Sequence, residues 1–323
     1  MRYANRKAKK IALVILNPLA RGGTGKSLWN KVLPNVQEHL DPQIIVRPCV
    51  EKVDEEIKDA LAKGIRMFVA AGGDGTVHQV INSILEAKKN YPLADIFFGA
   101  VGLGSSNDFH KPYSDSLFDV PLRIDSRYCS LRDVGFAEMV DLNGKLVKRF
   151  FLISGSLGFV AWANDYFNSN RFFLSVLKKS STNLAILYSA FRTLRSFKNQ
   201  KILVSLHGRT FESNLTNLSV SKTPYVGGCF RYDSEIAPDN GILSANIAEN
   251  LSWIGIIKLM KDLSRGKFLG KPHRHHFLVK EIAITAKTLI PVELDGEIFF
   301  ASAAKFRIHS EKIRVCNPVL NNR

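Results

Sequence analysis

Short hydrophobic runs alternate with amphipathic stretches over the first third of the chain. Four almost wholly apolar runs predict buried strands, at 11–16, 44–47, 66–71 and 96–100. Three stretches with apolar positions three and four residues apart predict helices, at 27–40, 53–63 and 77–87. This order of elements is typical of a mostly parallel sheet with helices on both faces.

The pattern changes after about residue 121, where strand-like segments follow one another directly. These segments lie at 130–140, 145–154, 201–206, 210–215, 217–221, 242–247, 277–285 and 306–309. Asn143-Gly144, between the first two, is a strong hairpin turn. A helical stretch at about 172–197 interrupts the series. Short, turn-bounded strands of this kind predict an antiparallel β-sandwich.

A glycine turn, Gly72-Gly73-Asp74-Gly75-Thr76, joins the third predicted strand to the third predicted helix. Glycines let backbone N–H groups approach a ligand closely, and a helix N-terminus favours negative charge. The turn therefore predicts a phosphate site. There, the Asp74 carboxylate could hold a metal on that phosphate, or a ribose hydroxyl.

Two further loops follow predicted strands and belong to the same edge of the sheet. The loop from Ala20 to Ser27 ends in Gly-Lys-Ser like a P-loop, but Ala20 stands where the first glycine is required. A true P-loop is therefore not expected, and the loop is either a looser nucleotide contact or an ordinary βα turn whose glycines cap the helix. The loop from Gly102 to Phe109 offers hydroxyl, amide and backbone donors for phosphate or ribose oxygens, although its polar residues could also cap a helix. The glycine turn one strand earlier favours the ligand-binding interpretation of this loop.

Carboxylates recur far downstream in Glu293-Leu294-Asp295-Gly296-Glu297, between strand-like segments. Asp295 and Glu297 flank a glycine. Paired carboxylates can accept a proton from an attacking hydroxyl and can organise Mg²⁺. Asp-Gly-Glu is also a common turn, so this pattern alone favours no function.

Composition narrows the range of partners. No apolar run reaches the roughly 20 residues that span a bilayer. The four cysteines lack the spacing of a zinc site or a disulfide framework and fit a reducing cytoplasm. The net charge of +16 predicts an anionic partner, which could be a nucleotide, an anionic membrane surface or a nucleic acid. No nucleic-acid recognition element is recognisable, which disfavours the last of these.

Five ordered motifs resemble the diacylglycerol kinase catalytic-domain family, specifically its soluble bacterial lipid kinases. The motifs are Asn17-Pro18-Leu19-Ala20 with Gly22-Gly23, the loop and helix from Gly72 to Asn82, Gly104-Ser105-Ser106-Asn107-Asp108-Phe109, Gly227-Gly228-Cys229-Phe230 before Pro238-Asp239-Asn240-Gly241, and Asp295-Gly296-Glu297. The resemblance covers nearly the whole chain.

The resemblance implies two domains and a reaction. An α/β nucleotide-binding domain over 1–125 would precede a β-sandwich lipid-substrate domain over 126–301, which carries a helical insertion. A C-terminal segment, about 302–323, would return to the first domain. The activity would be ATP-dependent transfer of the γ-phosphoryl group to a hydroxyl of diacylglycerol or a related lipid.

Residue roles also follow from the resemblance. Asp295 would be the general base, and Glu297 would arrange the base or a metal. ATP would be contacted by Asn17, Gly72, Gly73, Asp74, Gly75, Thr76, Gly104, Ser105, Ser106 and Asn107. Mg²⁺ would involve Asp74 and, at a structural site in the second domain, Asp239.

Some positions depart from the family pattern. Gln79 stands where the helix after the glycine turn usually carries glutamate. Asn240 and Ser244 replace aspartates near the structural Mg²⁺, and the loss of carboxylates should weaken a hard-cation site. The Asp-Gly-Glu motif is intact.

Alternatives remain open at this stage. NAD kinase shares the glycine loop, and Gln79 and Asn240 motivate a catalytically weak lipid or nucleotide sensor. A segment at 165–179 interleaves aromatics with cations and could lie in a membrane interface, although a helix with a solvated basic face is the more common cause. We expect peripheral contact with an anionic membrane, and a homodimer is left open.

Overall fold

The computed structural model describes residues 9–47, 53–88, 91–113, 116–169, 174, 177 and 182–319. The chain divides into two compact units. The first comprises Met1–Gly104, His110–Leu131 and Ile313–Arg323, and the second comprises Ser105–Phe109 and Arg132–Lys312. The sequence predicts domain boundaries after residue 125 and at about residue 302. These domain boundaries stay a prediction.

A seven-stranded sheet organises the described part of the first unit. Its strands are β1 (Lys10–Leu16), β2 (Leu40–Val46), β3 (Met67–Gly72), β4 (Phe97–Gly102), β5 (Leu122–Arg123), β6 (Asp125–Arg132) and β18 (Ile313–Asn317). The order is β2-β1-β3-β4-β18-β6, with β5 beside β4. All neighbours from β2 to β18 in this order pair in parallel.

Helices connect the parallel strands, as the sequence pattern predicts. They are α1 (Ala20–Gly23), α2 (Gly25–His39), α3 (Asp54–Ala62) and α4 (Asp74–Ala87). Every residue of β3 is buried, because this central strand is covered on both faces. The helix predicted from residue 77 begins earlier, at Asp74, because the glycine turn itself supplies the N-cap at Gly73.

Antiparallel strands build the second unit. They are β7 (Gly135–Val140), β8 (Leu146–Phe151), β9 (Ser154–Gly158), β10 (Gln200–Leu206), β11 (Arg209–Ser221), β12 (Tyr225–Val226), β13 (Phe230–Arg231), β14 (Leu243–Glu249), β15 (Arg274–Val279), β16 (Glu281–Leu294) and β17 (Glu297–Ile308). Nine of these described strands form one sheet in the order β15-β14-β11-β10-β16-β17-β7-β8, with β9 pairing both β11 and β16. This branch folds the sheet around one apolar core. The predicted α/β plus β-sandwich fold class is confirmed.

Three helices accompany this sheet in the described residues, α5 (Phe159–Asn168), α6 (Thr182–Ser196) and α7 (Trp253–Leu263). The helical stretch predicted at 172–197 is confirmed over α6, and most of its residues before 182 lie outside the described residues. The sequence interpretation missed α7, which Ser252 caps by accepting a hydrogen bond from the Gly255 N–H at 3.3 Å.

Some predicted strand bounds are wrong, for identifiable reasons. The strand predicted at 130–140 is two strands in different units, β6 and β7, because the buried Asp133 between them pairs with Lys222 instead of continuing a ladder. The segments 210–215 and 217–221 are one strand with a bulge, which the sequence pattern shows as a break in alternation.

Candidate functional site

The glycine turn Gly72–Thr76 lies where β3 ends and α4 begins, at the carboxyl edge of the parallel sheet. Asn17, which follows β1, donates from Nδ2 to the Thr76 hydroxyl at 3.4 Å and accepts at Oδ1 from the Leu19 N–H at 3.0 Å. The structure therefore brings together two of the predicted nucleotide-contacting positions from neighbouring strands.

Close packing around the turn explains why Gly72 and Gly73 lack a side chain. A Cβ on Gly72 would lie 2.2 Å from the Thr76 Oγ1, and a Cβ on Gly73 would lie 3.3 Å from the Gly104 Cα. The backbones at the ends of β3 and β4 thus approach closely, and the Leu103 N–H donates to the Gly72 carbonyl at 2.9 Å. Gly73 brings no side chain that could block the N-terminus of α4, where backbone N–H groups and the helix dipole favour an anion.

The near P-loop after β1 is a compact turn. Arg21, Gly22 and Gly23 all have positive φ, and the Lys26 N–H donates to the Pro18 carbonyl at 3.2 Å. A Cβ on Gly25 would lie 2.8 Å from the Asn17 carbonyl oxygen, so this glycine serves close backbone packing. A P-loop instead points such N–H groups at phosphate, so this geometry favours the turn interpretation.

The motif that follows β4 holds a second loop of its own unit in place. Both carboxylate oxygens of Asp108 accept from the Gly228 N–H, at 3.0 and 3.2 Å. A Cβ on Gly228 would lie 3.0 Å from the Ser106 Oγ. Asn107 is buried with φ 48°, and Ser105 is exposed. The predicted roles of Ser105, Ser106 and Asn107 in nucleotide binding stay predictions, whereas Asp108 is a positioning residue.

Asp295 sits in a two-residue turn between β16 and β17, in which both Asp295 and Gly296 have positive φ. Its carboxylate is buried and accepts three backbone N–H groups, from Leu152 at 2.8 Å, Ile153 at 2.9 Å and Ser154 at 3.0 Å. These donors fix the position of the carboxylate.

The rest of the turn is fixed as well. The Gly296 carbonyl accepts from the side-chain amides of Asn164 at 3.1 Å and Asn168 at 3.2 Å, both on α5. Glu297, half-buried, opposes Leu294 at the start of β17. The roles predicted for Asp295 and Glu297 stay predictions, and the structure adds that the turn is pre-organised.

Glu293 is a buried carboxyl group that the sequence interpretation quoted but gave no role. It accepts hydrogen bonds from the Ser156 hydroxyl and the Gly296 N–H. Burial raises the pKa of Glu293 to about 8, although these two hydrogen bonds lower it, and Asp295 and Asp108 raise it further. Its signal in the sequence is a charged residue inside the apolar run Ile290–Leu294 at the end of β16.

A raised pKa makes the contribution of Glu293 to stability depend on pH. Between its ordinary value of 4.5 and about 8, the folded state holds a proton that the unfolded state releases. The free energy of unfolding should therefore fall as pH rises through this window. Glu293→Gln should remove roughly 2–4 kcal/mol of that fall and be the more stable protein above pH 8.

Urea unfolding of wild type and Glu293→Gln from pH 5 to 9 measures this difference. Glu281→Gln, at the exposed start of the same strand, is the matched control and should follow wild type. Parallel pH profiles for Glu293→Gln and wild type would contradict the assignment.

The surroundings of Asp239 test the structural Mg²⁺ that the resemblance implies. The Asp239 side chain is exposed, and its carbonyl accepts from Lys312 Nζ at 2.6 Å. The oxygens of this loop converge instead on the buried ammonium of Lys222. Among the described residues, no group of three or more acidic, histidine or cysteine side chains is placed to hold a metal. Because the Lys222 ammonium lies among these oxygens, the residues present do not fit a metal ion at this loop.

Two family models match successive parts of the chain. The model described as "Diacylglycerol kinase catalytic domain" matches residues 11–119. The model described as "YegS C-terminal NAD kinase beta sandwich-like domain" matches residues 154–317, half of the chain.

Curated relatives and solved structures match over nearly the full length. A diacylglycerol kinase of Staphylococcus saprophyticus is 26% identical over 321 residues, and one of Staphylococcus carnosus is 24% identical over 319 residues, each covering 96% of both chains. A crystal structure of a diacylglycerol kinase from Bacillus anthracis, 15% identical, has a TM-score of 0.65 over 97% of this chain and 98% of that chain. At this identity, the structural match shows the fold alone.

Proposed function

The chain belongs to the diacylglycerol kinase catalytic-domain family, and from that membership we propose that it is an ATP-dependent kinase whose acceptor is a lipid hydroxyl, such as that of diacylglycerol. The observation that carries the proposal is the Asp295 carboxylate, held by three backbone N–H groups in the Asp-Gly-Glu turn. A buried carboxylate that is held in one orientation suits a general base that accepts a proton from an incoming hydroxyl.

The proposed reaction is in-line phosphoryl transfer. The lipid hydroxyl oxygen forms a bond to the γ-phosphorus of ATP, the bond from that phosphorus to the β–γ bridging oxygen breaks, and ADP leaves. Asp295 accepts the hydroxyl proton. Such transfer depends mainly on positioning and on charge stabilisation rather than on covalent chemistry by the protein.

The glycine turn is the proposed phosphate site. Its support is the N-terminus of α4 beside Thr76 and Asn17, where N–H groups, a hydroxyl and an amide lie together. Asp74, in the first turn of α4, is the carboxylate that we assign to a Mg²⁺ ion, which would neutralise phosphate charge when bound with the nucleotide. Gln79, the family departure, lies half-buried one turn further along α4.

An acceptor panel tests the proposal. ADP release from Mg-ATP should be measured with diacylglycerol, phosphatidylglycerol and a sphingoid base in mixed micelles, and with NAD⁺. Turnover on a lipid alcohol and none on NAD⁺ is expected. Turnover on NAD⁺ alone would replace lipid kinase with NAD kinase, and tight ATP binding without transfer to any acceptor would favour a sensor.

A membrane-facing surface is part of the same proposal, since the acceptor is a lipid. We define the α6–α7 surface by its exposed apolar side chains, which are Leu184, Leu187, Phe191, Trp253, Ile254 and Ile257. None of the described helices combines the length and hydrophobicity that a membrane-spanning helix needs. The segment at 165–179, for which the sequence suggests contact with a membrane interface, lies largely outside the described residues, so the α6–α7 surface is a separate observation.

The two helices of this surface pack against each other through Ala190 and Ile256, so their outer faces belong to one region of the second unit. On α6 the apolar residues recur every three to four positions along one face. Exposed cations flank them, namely Arg192, Arg195, Lys198, Lys258 and Lys261. An apolar face bordered by Lys and Arg is typical of a helix that lies in an anionic bilayer interface.

Leu187→Ser with Ile257→Ser should weaken binding to phosphatidylglycerol vesicles by about tenfold or more, since two large apolar side chains no longer enter the interface. Co-sedimentation and the emission shift of Trp253, 62% exposed, report the binding. Leu142→Ser, at the exposed tip of the β7–β8 hairpin, is the control and should bind like wild type. Undiminished vesicle binding by the double variant would rule out the α6–α7 surface as the membrane-facing surface. A wild-type dimer that the double variant abolishes would show instead that a second copy of the chain covers this surface.

A further inference from the structure

Lys222 follows the end of β11, and its ammonium is buried within a set of oxygen atoms. The side chain is only 2% exposed. Nζ donates to the carbonyls of Ala237 at 2.8 Å and Ile242 at 2.7 Å and to the Asn240 Oδ1 at 2.9 Å, and the Asp133 Oδ2 lies 2.9 Å away. We call these four oxygens the Lys222 cage.

The cage has the composition of a hard-cation site. Backbone carbonyls, an amide oxygen and a carboxylate are the ligands that Ca²⁺ and Mg²⁺ take from proteins. An ammonium offers three N–H donors, so it matches the three neutral oxygens, and its charge is balanced by Asp133. Burial lowers the pKa of Lys222, an effect that the Asp133 carboxylate opposes.

The same carboxylate shapes the loop that supplies the cage. Asp133 Oδ2 accepts from the Gly241 N–H at 2.7 Å, and the Asp133 N–H donates to the Pro238 carbonyl at 2.9 Å. The Asn240 Oδ1 also accepts from the Ile242 N–H at 3.2 Å. The loop therefore directs its oxygens inward, an arrangement that is costly unless a positive charge lies among them.

The cage connects to the turn that holds the proposed base. The Lys222 N–H donates to the Ile153 carbonyl at 2.9 Å. The next N–H in the same peptide group, that of Ser154, donates to the Asp295 carboxylate at 3.0 Å. One peptide group thus accepts from the residue that fills the cage and donates to Asp295.

We propose that the Lys222 ammonium is a permanent internal cation of the second unit, which fills a site that a divalent metal would otherwise occupy, and that shortening this side chain turns the cage into a divalent-cation site. The chain therefore replaces the structural Mg²⁺ that its resemblance implies with a covalently attached charge. This proposal concerns only the location of the positive charge and does not depend on the proposed kinase activity.

Thermal unfolding of the nucleotide-free protein tests the proposal in EDTA, in millimolar CaCl₂ and in millimolar MgCl₂. Wild type should have the same Tm in all three. Lys222→Ala should have a lower Tm in EDTA, and a divalent cation at about a hundredfold excess over its Kd should raise that Tm by roughly 5–10 °C. Ca²⁺ should act more strongly than Mg²⁺, because its contacts of about 2.3–2.6 Å are closer to the cage spacing than the roughly 2.0–2.1 Å of Mg²⁺.

Lys312→Ala is the matched control, since Lys312 Nζ lies 3.6 Å from the Asp133 Oδ1 but outside the cage. It should show no divalent dependence. Asn240→Ala, which keeps the ammonium and removes one cage oxygen, should lower the Tm without making it cation-dependent. A wild-type Tm that Ca²⁺ or Mg²⁺ raises would overturn the proposal, as would a folded Lys222→Ala that responds to neither ion. If Lys222→Ala does not fold in EDTA, folding in Ca²⁺ supports the proposal and failure in both ions counts against it.

Discussion

Replacement of Asp295 by asparagine should lower lipid phosphorylation by about 10²–10⁴-fold, the contribution typical of a positioned general base. Asparagine nearly keeps the shape of the side chain but removes its charge and one of its two acceptor oxygens. The amide group must then face either the Leu152 N–H or the pair from Ile153 and Ser154. At least one buried N–H loses its acceptor, so the free energy of unfolding should also fall by about 1–3 kcal/mol.

The two effects must be separated, because a partly unfolded enzyme is also inactive. Turnover should be measured below the Tm of the variant, with its folded fraction determined by circular dichroism. Asp141→Asn is a matched control, since Asp141 accepts from the N–H groups of Asn143 and Lys145 in the β7–β8 turn of the same unit. It should lose some stability and keep full activity. Turnover of folded Asp295→Asn at the wild-type rate would rule out Asp295 as the base.

Local sequence pattern predicts the first unit well, because each strand, turn and helix follows the last directly along the chain. An apolar run, a glycine turn and an amphipathic helix at Met67–Ala87 need no information from elsewhere in the chain. The pattern predicts too late a start for α4, because Gly72 ends the strand and Gly73 at once caps the helix. Even so, the predicted phosphate loop lies at the junction of strand and helix.

The carboxylates of the second unit show what local pattern cannot give. The Asp-Gly-Glu motif marks Asp295 in the sequence, but its three N–H donors lie more than 140 residues earlier. The sequence around residue 152 contains no pattern that predicts hydrogen bonds from these N–H groups to a distant turn. Glu293 carries a signal only in hindsight, as a charge in an apolar run, and its environment depends on Ser156.

Lys222 is the extreme case of this limitation. It is one lysine among 45 basic residues, and no motif marks it. The sequence predicts that Asn240 and Ser244 weaken a metal site, but it does not predict which group takes the place of the missing charge. That answer required the fold to bring the end of β11 beside the loop at Ala237–Ile242.

Gly72→Ala should lower both the free energy of unfolding and the affinity for ATP. The new Cβ would lie 2.2 Å from the Oγ1 and 2.6 Å from the Cβ of Thr76, so α4 or β3 must shift. Overpacking of this kind costs about 1–3 kcal/mol. The shift would also move Thr76 away from the Asn17 amide, which lies at the proposed phosphate site, so the Kd for ATP should rise by about tenfold or more, equivalent to about 1.4 kcal/mol.

Gly73→Ala separates packing from binding, because its Cβ would meet only the Gly104 Cα, at 3.3 Å, and a small adjustment relieves that contact. This variant should unfold close to wild type in urea, yet its methyl group narrows the approach to the N-terminus of α4. Isothermal titration with ATP should therefore show weakened binding in both glycine variants but a stability loss only in Gly72→Ala. If both variants bound ATP like wild type, the phosphate site would have to lie elsewhere than at this turn, because neither a displaced Thr76 nor an added methyl would have touched it.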